Sequence, residues 1–323
     1  MGTLLALMGA VVLAGPGPQP PRLEVAESPT LASPNAINMG YWQVDGDPAP
    51  TRIRVHVPEA YGFTPSADGA APGTTVGFDQ IQLNPPIGDR PATGLLTMED
   101  RTAFAGESLA CTGSINEDAV WAAHIGSPSG VIRVPIFVNG HDFTVCPDAT
   151  RLGGTMTYFA LELGLLANAN PRSLITGPKQ QGTYIWSATV ARAGAPTIEV
   201  RSVVDLPQRA TFTASGNRGR VRITGRVTAN GRGAGGLRIQ ADAVKRRTRG
   251  FEPAFFARTR GDGRFTITHR IGRGTFYVRV RAYRDPVTTS KCGGHSSAPG
   301  GCVSTTRNGF GLEALPAMVR IHS

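Results

Sequence analysis

Lysine is nearly missing from this chain: of its 33 basic residues, 30 are arginine. Charge as a whole is scarce, at 17% of 323 residues against about 25% in an ordinary soluble domain. That excludes a coiled coil and a charge-dominated disordered tail. No apolar run of about 18 or more residues follows the N-terminus, so no ordinary helical membrane span is expected. HExxH and GxSxG are both absent, which removes two familiar hydrolase signatures. Only four cysteines occur, and none stands in a CxxC pair, so the usual zinc spacing is missing. No cofactor and no metal are expected.

Hydrophobic residues make up 40% of the chain, with 41 glycines and 25 prolines. That supplies enough apolar surface for sizeable cores, and the length suggests about two domains. Leu4 to Ala14 is unbroken apolar sequence ahead of a Gly/Pro cluster. It is too short to span a bilayer and fits a secretory signal, with Val12-Leu13-Ala14 as the cleavage site. We therefore expect a signal peptide over 1–14, a Pro-rich linker over 15–36, and an extracellular or cell-surface location. Four cysteines in an exported chain point to two disulfides, with three pairings open. The domain split described next favours Cys111–Cys146 and Cys292–Cys302.

Charge divides the chain. Residues 1–205 carry 11 Lys+Arg against 18 Asp+Glu, net −7; residues 206–323 carry 22 against 5, net +17. A shift of this size near Leu206-Pro207 marks a boundary between domains 37–206 and 207–323. In the first, Arg52 to Val57 alternates polar and apolar residues. Val131 to Val138, Met156 to Leu166, Tyr184 to Val190 and Ile198 to Val204 are further strand candidates. Asn139-Gly140 predicts a type I′ hairpin turn. Ser114-Ile115-Asn116-Glu117 has capping-box form and competes with a strand over Ala119 to Ile125.

In the second, strands are expected over Arg220 to Thr228, Leu237 to Val244, Phe255 to Arg260, Arg264 to Ile271 and Thr275 to Tyr283. Met318 to Ile321 is placed to close the sheet. Asn230-Gly231 and Gly261-Asp262-Gly263 supply turns between them. Short strands without helical periods give an all-β fold: two antiparallel, immunoglobulin-like β-sandwich domains in tandem.

Residues 220–283 resemble the bacterial carboxypeptidase-regulatory-like domain, a transthyretin- or immunoglobulin-type sandwich. The resemblance runs through Gly225 and Val227, Gly231 and Gly236 before Leu237, Thr259, Gly263 and Phe265, then Gly274-Thr275-Phe276 with Val278, Val280 and Ala282. Arg260 stands where that family usually has an acidic residue, which argues against an acidic ion site at the turn. The resemblance implies a non-catalytic accessory or surface module.

Residues two apart on a strand share a face. Arg218, Arg220, Arg222 and Arg226 therefore point away from Val221, Ile223 and Val227, and Arg279 and Arg281 point away from Val278 and Val280. An unpaired buried guanidinium costs several kcal/mol, so the aliphatic sets form the core and the arginines face water. With Lys245, Arg246, Arg247 and Arg249 of the following loop they make a basic exterior. Two readings stand beside each other: arginine as a plain filler of solvated positions, and a face that draws a polyanion such as an anionic cell-surface polymer or polysaccharide.

Other motifs are weaker. Gly231, Gly233 and Gly236 match GxGxxG in form, but a strand follows where a dinucleotide site needs a helix. Arg260-Gly261-Asp262 serves a tight turn. His124 and His141, with Asp118 and Asp142, form an acid–base or metal cluster only if a sheet brings them together. Asp45-Gly46-Asp47 with Glu59 and Asp68 lacks calcium-loop spacing. Tyr41, Trp42, Tyr61, Phe63 and Trp121 read first as core, and second as a sugar-binding surface. The expected function is an exported structural or binding component without catalytic machinery, its protein partner unspecified. The alternative is a secreted hydrolase or carbohydrate-binding protein with its site in the first domain.

Overall fold

The structure is a computed structural model that describes residues 20–28, 30–32, 37–44, 46–65, 71–86, 91–127, 130–163, 174–245, 252–292 and 302–321. The expected signal peptide lies outside them. The first half contains β1 (Arg22–Ala26), β2 (Ile37–Trp42), β3 (Pro50–His56), β4 (Gly62–Phe63), β5 (Thr75–Asn84) and β6 (Ala92–Glu99). A 3₁₀ turn (Arg101–Phe104) and α1 (Ala105–Thr112) follow, then β7 (Ala119–Ser127), β8 (Gly130–Asn139) and β9 (Asp142–Val145). After α2 (Ala149–Leu152) come β10 (Thr155–Leu163), β11 (Ile175–Thr176), β12 (Gly182–Arg192) and β13 (Ala195–Leu206).

The second half contains β14 (Gln208–Asn217), β15 (Arg220–Ala229), β16 (Arg232–Gly233), β17 (Arg238–Lys245) and β18 (Glu252–Arg258). It continues with β19 (Arg264–Arg270), β20 (Gly274–Arg284), β21 (Val287–Cys292), β22 (Cys302–Arg307) and β23 (Phe310–Ile321). The all-β expectation holds, and the predicted strands fall on β3, β7, β8, β10, β12, β13, β15, β17, β18, β19 and β20. Met318 to Ile321 is the end of the longer β23. Alternation did not reveal β14 as a strand, because its inward positions are Ala210, Phe212, Ala214 and Gly216, mostly too small to show an apolar rhythm.

A single thirteen-stranded sheet runs in the order β1-β2-β10-β5-β6-β7-β8-β9-β3-β12-β13-β22-β21. It curls until β1 packs on β13 and β22, so its two ends nearly close. Ile53 and Val55 of β3, Trp121 of β7, Phe143 of β9 and Trp186 of β12 fill the interior. Each fully buried aliphatic or aromatic side chain contributes about 1.5–3 kcal/mol. Residues 20–26, expected as linker, supply β1: Leu23 and Val25 are buried core residues, and Arg22↔Trp42 to Ala26↔Asn38 pair with β2. Alternating Leu23 and Val25 carry that strand through a Pro-rich stretch.

The second half is a sandwich. One sheet has β14-β15-β16 with β19 beside β15, and the other runs β18-β17-β20-β23. Val221, Ile223, Val227, Phe265 and Ile267 of the first meet Ile239, Ala241, Val278 and Val280 of the second. Gly225 is needed here, since a Cβ would lie 2.4 Å from both Phe265 Cζ and Thr211 O.

The two halves are not a simple tandem. β20 and β23 form a hairpin whose outer part bends across to the first sheet. Pairing runs Arg284↔Phe310, skips Asp285-Pro286 and Asn308-Gly309, and resumes at Val287↔Arg307 in the same register. Beyond the skip, β22 pairs in parallel with β13, from Glu199↔Val303 to Val203↔Arg307. The expected tandem of two sandwiches therefore holds only in part: β21 and β22 leave the second unit and extend the sheet of the first.

Two local expectations also change. Asn139 pairs with Asp142, so the hairpin loop is Gly140-His141, and only Gly140 has positive φ (56°); this is not a type I′ turn. Asn230-Gly231 and Arg218-Gly219 do carry positive φ at both positions (48° and 70°, 47° and 71°), as type I′ requires. Ser114 to Glu117 does not start a helix; it follows α1, and buried Glu117 accepts hydrogen bonds from Thr112 Oγ1 (2.7 Å) and Ser108 Oγ (3.2 Å). The disulfide Cys111–Cys146 forms and ties α1 to the segment after β9. Cys292 and Cys302 are opposed in the β21–β22 register; the expected bond between them lies outside the described side chains.

Candidate anion-binding face

The outward surface of β14, β15 and β19 is a register of polar rows. Asn217, Arg220 and Arg270 form one row; Ser215, Arg222 and Thr268 the next. Thr213, Thr224 and Thr266 follow, then Thr211, Arg226 and Arg264, with Arg209 beside Thr228 at the end. The fourteen positions are six arginines, six threonines, one serine and one asparagine. Strand alternation explains them: the intervening residues Val221, Ile223, Val227, Phe265 and Ile267 are buried in the core. The Thr213 and Thr224 hydroxyls bond to each other at 3.0 Å.

One carboxylate sits near this face. Asp262, in the turn before β19, lies 3.6 Å from Arg264 Nε, and its backbone carbonyl accepts from Arg226 Nε at 3.2 Å. Among the described residues, Arg209, Arg220, Arg222 and Arg270 pair with no carboxylate. A shallow depression of about 490 Å³ lies over Thr211, Thr213, Thr224, Arg226, Arg264 and Thr266, with Arg260 at its rim.

The sequence-predicted basic residues divide. Arg220, Arg222 and Arg226 share this face. Arg218 stands at its end in a turn, not on the strand. Arg279 and Arg281 lie on the other sheet of the sandwich. There Arg279 Nη2 meets buried Asp242 Oδ2 at 2.9 Å and Arg279 Nε meets Glu313 at 3.6 Å, while Arg281 Nε meets Glu313 at 3.2 Å. Arg279 and Arg281 thus share Asp242 and Glu313, whereas Arg220 and Arg222 pair with no carboxylate among the described residues. Cross-strand partners Asp242 and Glu313 come from strands that alternation on β20 alone does not identify. Lys245 ends β17; Arg246, Arg247 and Arg249 lie outside the described residues. Sequence reasoning left Arg209 and Arg270 out, because β14 and the pairing of β19 with β15 were not foreseen.

His124 and His141 have separate partners, although His56 lies beside His141 at 6.5 Å between ring centres. His124 Nε2 lies 2.8 Å from Thr97 Oγ1 and 3.4 Å from Glu99, which also holds Arg133 at 3.1 Å. His141 Nε2 instead faces Glu59 at 3.5 Å, and Asp142 binds His56 at 3.0 Å and Arg54 at 2.5 Å. Asp118 accepts the Gly140 N–H at 2.7 Å as part of the hairpin. Among the described residues, no three His, Cys, Asp or Glu are grouped to hold a metal ion. Asp45 and Asp68 lie outside those residues. Tyr41, Tyr61 and Trp121 are buried, and Trp42 lies against Tyr158 with Arg22 over its ring at 4.6 Å. The aromatics therefore build core rather than an open sugar platform.

No protein-family model matches the sequence, and no curated protein matches it. Among solved structures, the D0-D1 domain of intimin is 9% identical with a TM-score of 0.20, covering 90% of this chain and 96% of that one. The chicken CNTN1 FN1-FN3 domains are 8% identical with a TM-score of 0.21, covering 95% and 67%. Dimeric latent PorU from Porphyromonas gingivalis is 8% identical with a TM-score of 0.23, covering 94% and 34%. Similarity this low carries no functional argument. What the fold and the face define is an all-β, sandwich-containing protein with a disulfide and an arginine–threonine sheet surface.

Proposed function

We propose that this is an exported structural or binding component, without catalytic chemistry of its own, held on an anionic polymer outside the cell by its second half. One observation carries the reading: six arginines and no carboxylate occupy the fourteen outward positions of β14, β15 and β19. Guanidinium groups set this way release counterions when they meet a polyanion, and that release drives association. The Cys111–Cys146 disulfide supports an oxidising, extracellular setting. The apolar segment over 1–14 supports export, and the resemblance of residues 220–283 to a carboxypeptidase-regulatory-like domain supports an accessory role.

Binding to heparin as a model polyanion tests the reading. Affinity falls steeply between about 50 and 200 mM salt, and Arg220→Glu with Arg222→Glu and Arg226→Glu removes it. Arg281→Glu, on the other sheet and already paired with Glu313, leaves it nearly unchanged. A flat salt response refutes the reading. Deleting 207–323 is not a suitable test, since it strips β21 and β22 from the first sheet.

A further inference from the structure

We infer that the polymer is an anionic polysaccharide, laid along β15 with its sugar hydroxyls on the threonine belt. This rests on the polymer-binding reading above and adds the chemistry of the ligand. Charge alone needs only arginine, yet the centre of the face is hydroxyl: Thr213, Thr224 and Thr266 form an unbroken row across three strands. Arginine stands on both sides of it, Arg222 in one neighbouring row and Arg226 with Arg264 in the other. Arg222 is two residues from the belt in one direction and Arg226 two in the other, so the two rows stand about 13 Å apart along the strand. A chain that alternates anionic groups with hydroxylated stretches matches that order: carboxylate or sulfate on arginine, hydroxyl on hydroxyl between.

The same face lacks what other polyanions use. None of its fourteen outward residues is aromatic, and single-stranded nucleic acids are held on stacking platforms. None is apolar, and a membrane-surface element needs an apolar side to enter the lipid. The shallow depression over the belt, about 490 Å³, is lined by four threonines and Arg226, Arg260 and Arg264, with Phe212, Gly225 and Phe265 of the inward-facing rows beneath them.

The test compares four probes on the full chain: heparin (sulfated), polygalacturonate (carboxylated), inorganic polyphosphate and duplex DNA. In the triple variant Thr213→Val, Thr224→Val and Thr266→Val the charges are kept and three hydroxyls are lost. It is expected to bind at least one of the two polysaccharides about fivefold or more weakly while binding polyphosphate as the parent does. Which polysaccharide responds identifies sulfate or carboxylate as the anionic group. An unchanged saccharide affinity in that variant, or duplex DNA bound more tightly than both polysaccharides, overturns the inference and leaves the charge-only reading intact. If the parent binds none of the four probes, or if arginine reversal changes nothing, both readings fall. Far-ultraviolet circular dichroism and the thermal midpoint establish that the valine variant is folded.

Discussion

Asn308 binds the backbone of Val25 as a neighbouring strand would. Its Oδ1 accepts the Val25 N–H at 3.1 Å and its Nδ2 donates to the Val25 carbonyl, across 283 positions of sequence. The Ser202 hydroxyl donates to the same Oδ1, and the Asn308 N–H donates to Val203 O at 3.3 Å. One side chain thus joins β1, β13 and the end of β22. The seam buries polar side chains, Ser202, Ser304, Thr306 and Asn308, and among the described side chains none of β21 or β22 belongs to either large hydrophobic core. Hydrogen bonds and the Arg307–Asp205 ion pair at 3.2 Å hold the arm.

Asn308→Ala should therefore be costly for a residue in a two-residue link. It leaves the Val25 N–H and carbonyl buried without partners, at about 1–3 kcal/mol for each orphaned group. The urea midpoint is expected to drop with the m-value unchanged. A loss under about 0.5 kcal/mol would show that the seam is open to water.

The shared arm couples the two halves. Calorimetry on the full chain should give one unfolding transition, with calorimetric and van't Hoff enthalpies in agreement. Two resolved transitions would mean that the arm contributes no coupling.

Stability should fall as pH rises from about 4 to about 7 and level off above that. Asp79 is 1% exposed; its Oδ2 accepts the His124 N–H at 3.3 Å, and its Oδ1 has no partner among the described residues. Burial lifts its pKa to about 7. Glu27 also rises to about 7, burial outweighing the hydrogen bond from Tyr61 at 2.6 Å. A carboxyl raised above its unfolded value of about 4 stabilises the fold in its protonated form. That contribution is complete below about pH 4, shrinks as pH climbs to about 7, and is gone above it. Asp79→Asn should be more stable than the parent at pH 8 and should roughly halve the decline between pH 5 and 8. A variant as pH-sensitive as the parent refutes the assignment.

The Cys111–Cys146 bond spans a sequence separation of 35, and closing a loop of that size is worth about 3–4 kcal/mol on chain entropy. Replacing both cysteines with serine should lower the thermal midpoint and leave heparin affinity at 25 °C unchanged. Lost affinity in a folded variant would tie α1 to the binding face, which the fold places on the other half.

Much of the second half was legible because alternation is a local signal. Val221, Ile223 and Val227 against Arg220, Arg222 and Arg226 fixes both the strand and its wet side from eight consecutive residues. Asn308 shows the limit. Followed by Gly309, it has the composition of an exposed turn, and nothing nearby marks it for burial against Val25. Arg279 was legible as outward-facing, but its neutralisation by Asp242 depends on which strand lies alongside.

The sequence by itself determined the all-β character, the inward aliphatic sets and the arginine-rich wet positions, since each follows from the two-residue geometry of an extended chain. Tertiary structure decided which arginines stay unpaired, where β1 and the arm go, and that His124 and His141 take separate partners. The physical reason is that strands join through backbone N–H and carbonyl groups, which every residue but proline carries in the same form. A strand's faces are written in its side chains, whereas the identity of its neighbour is settled only when the whole chain has packed.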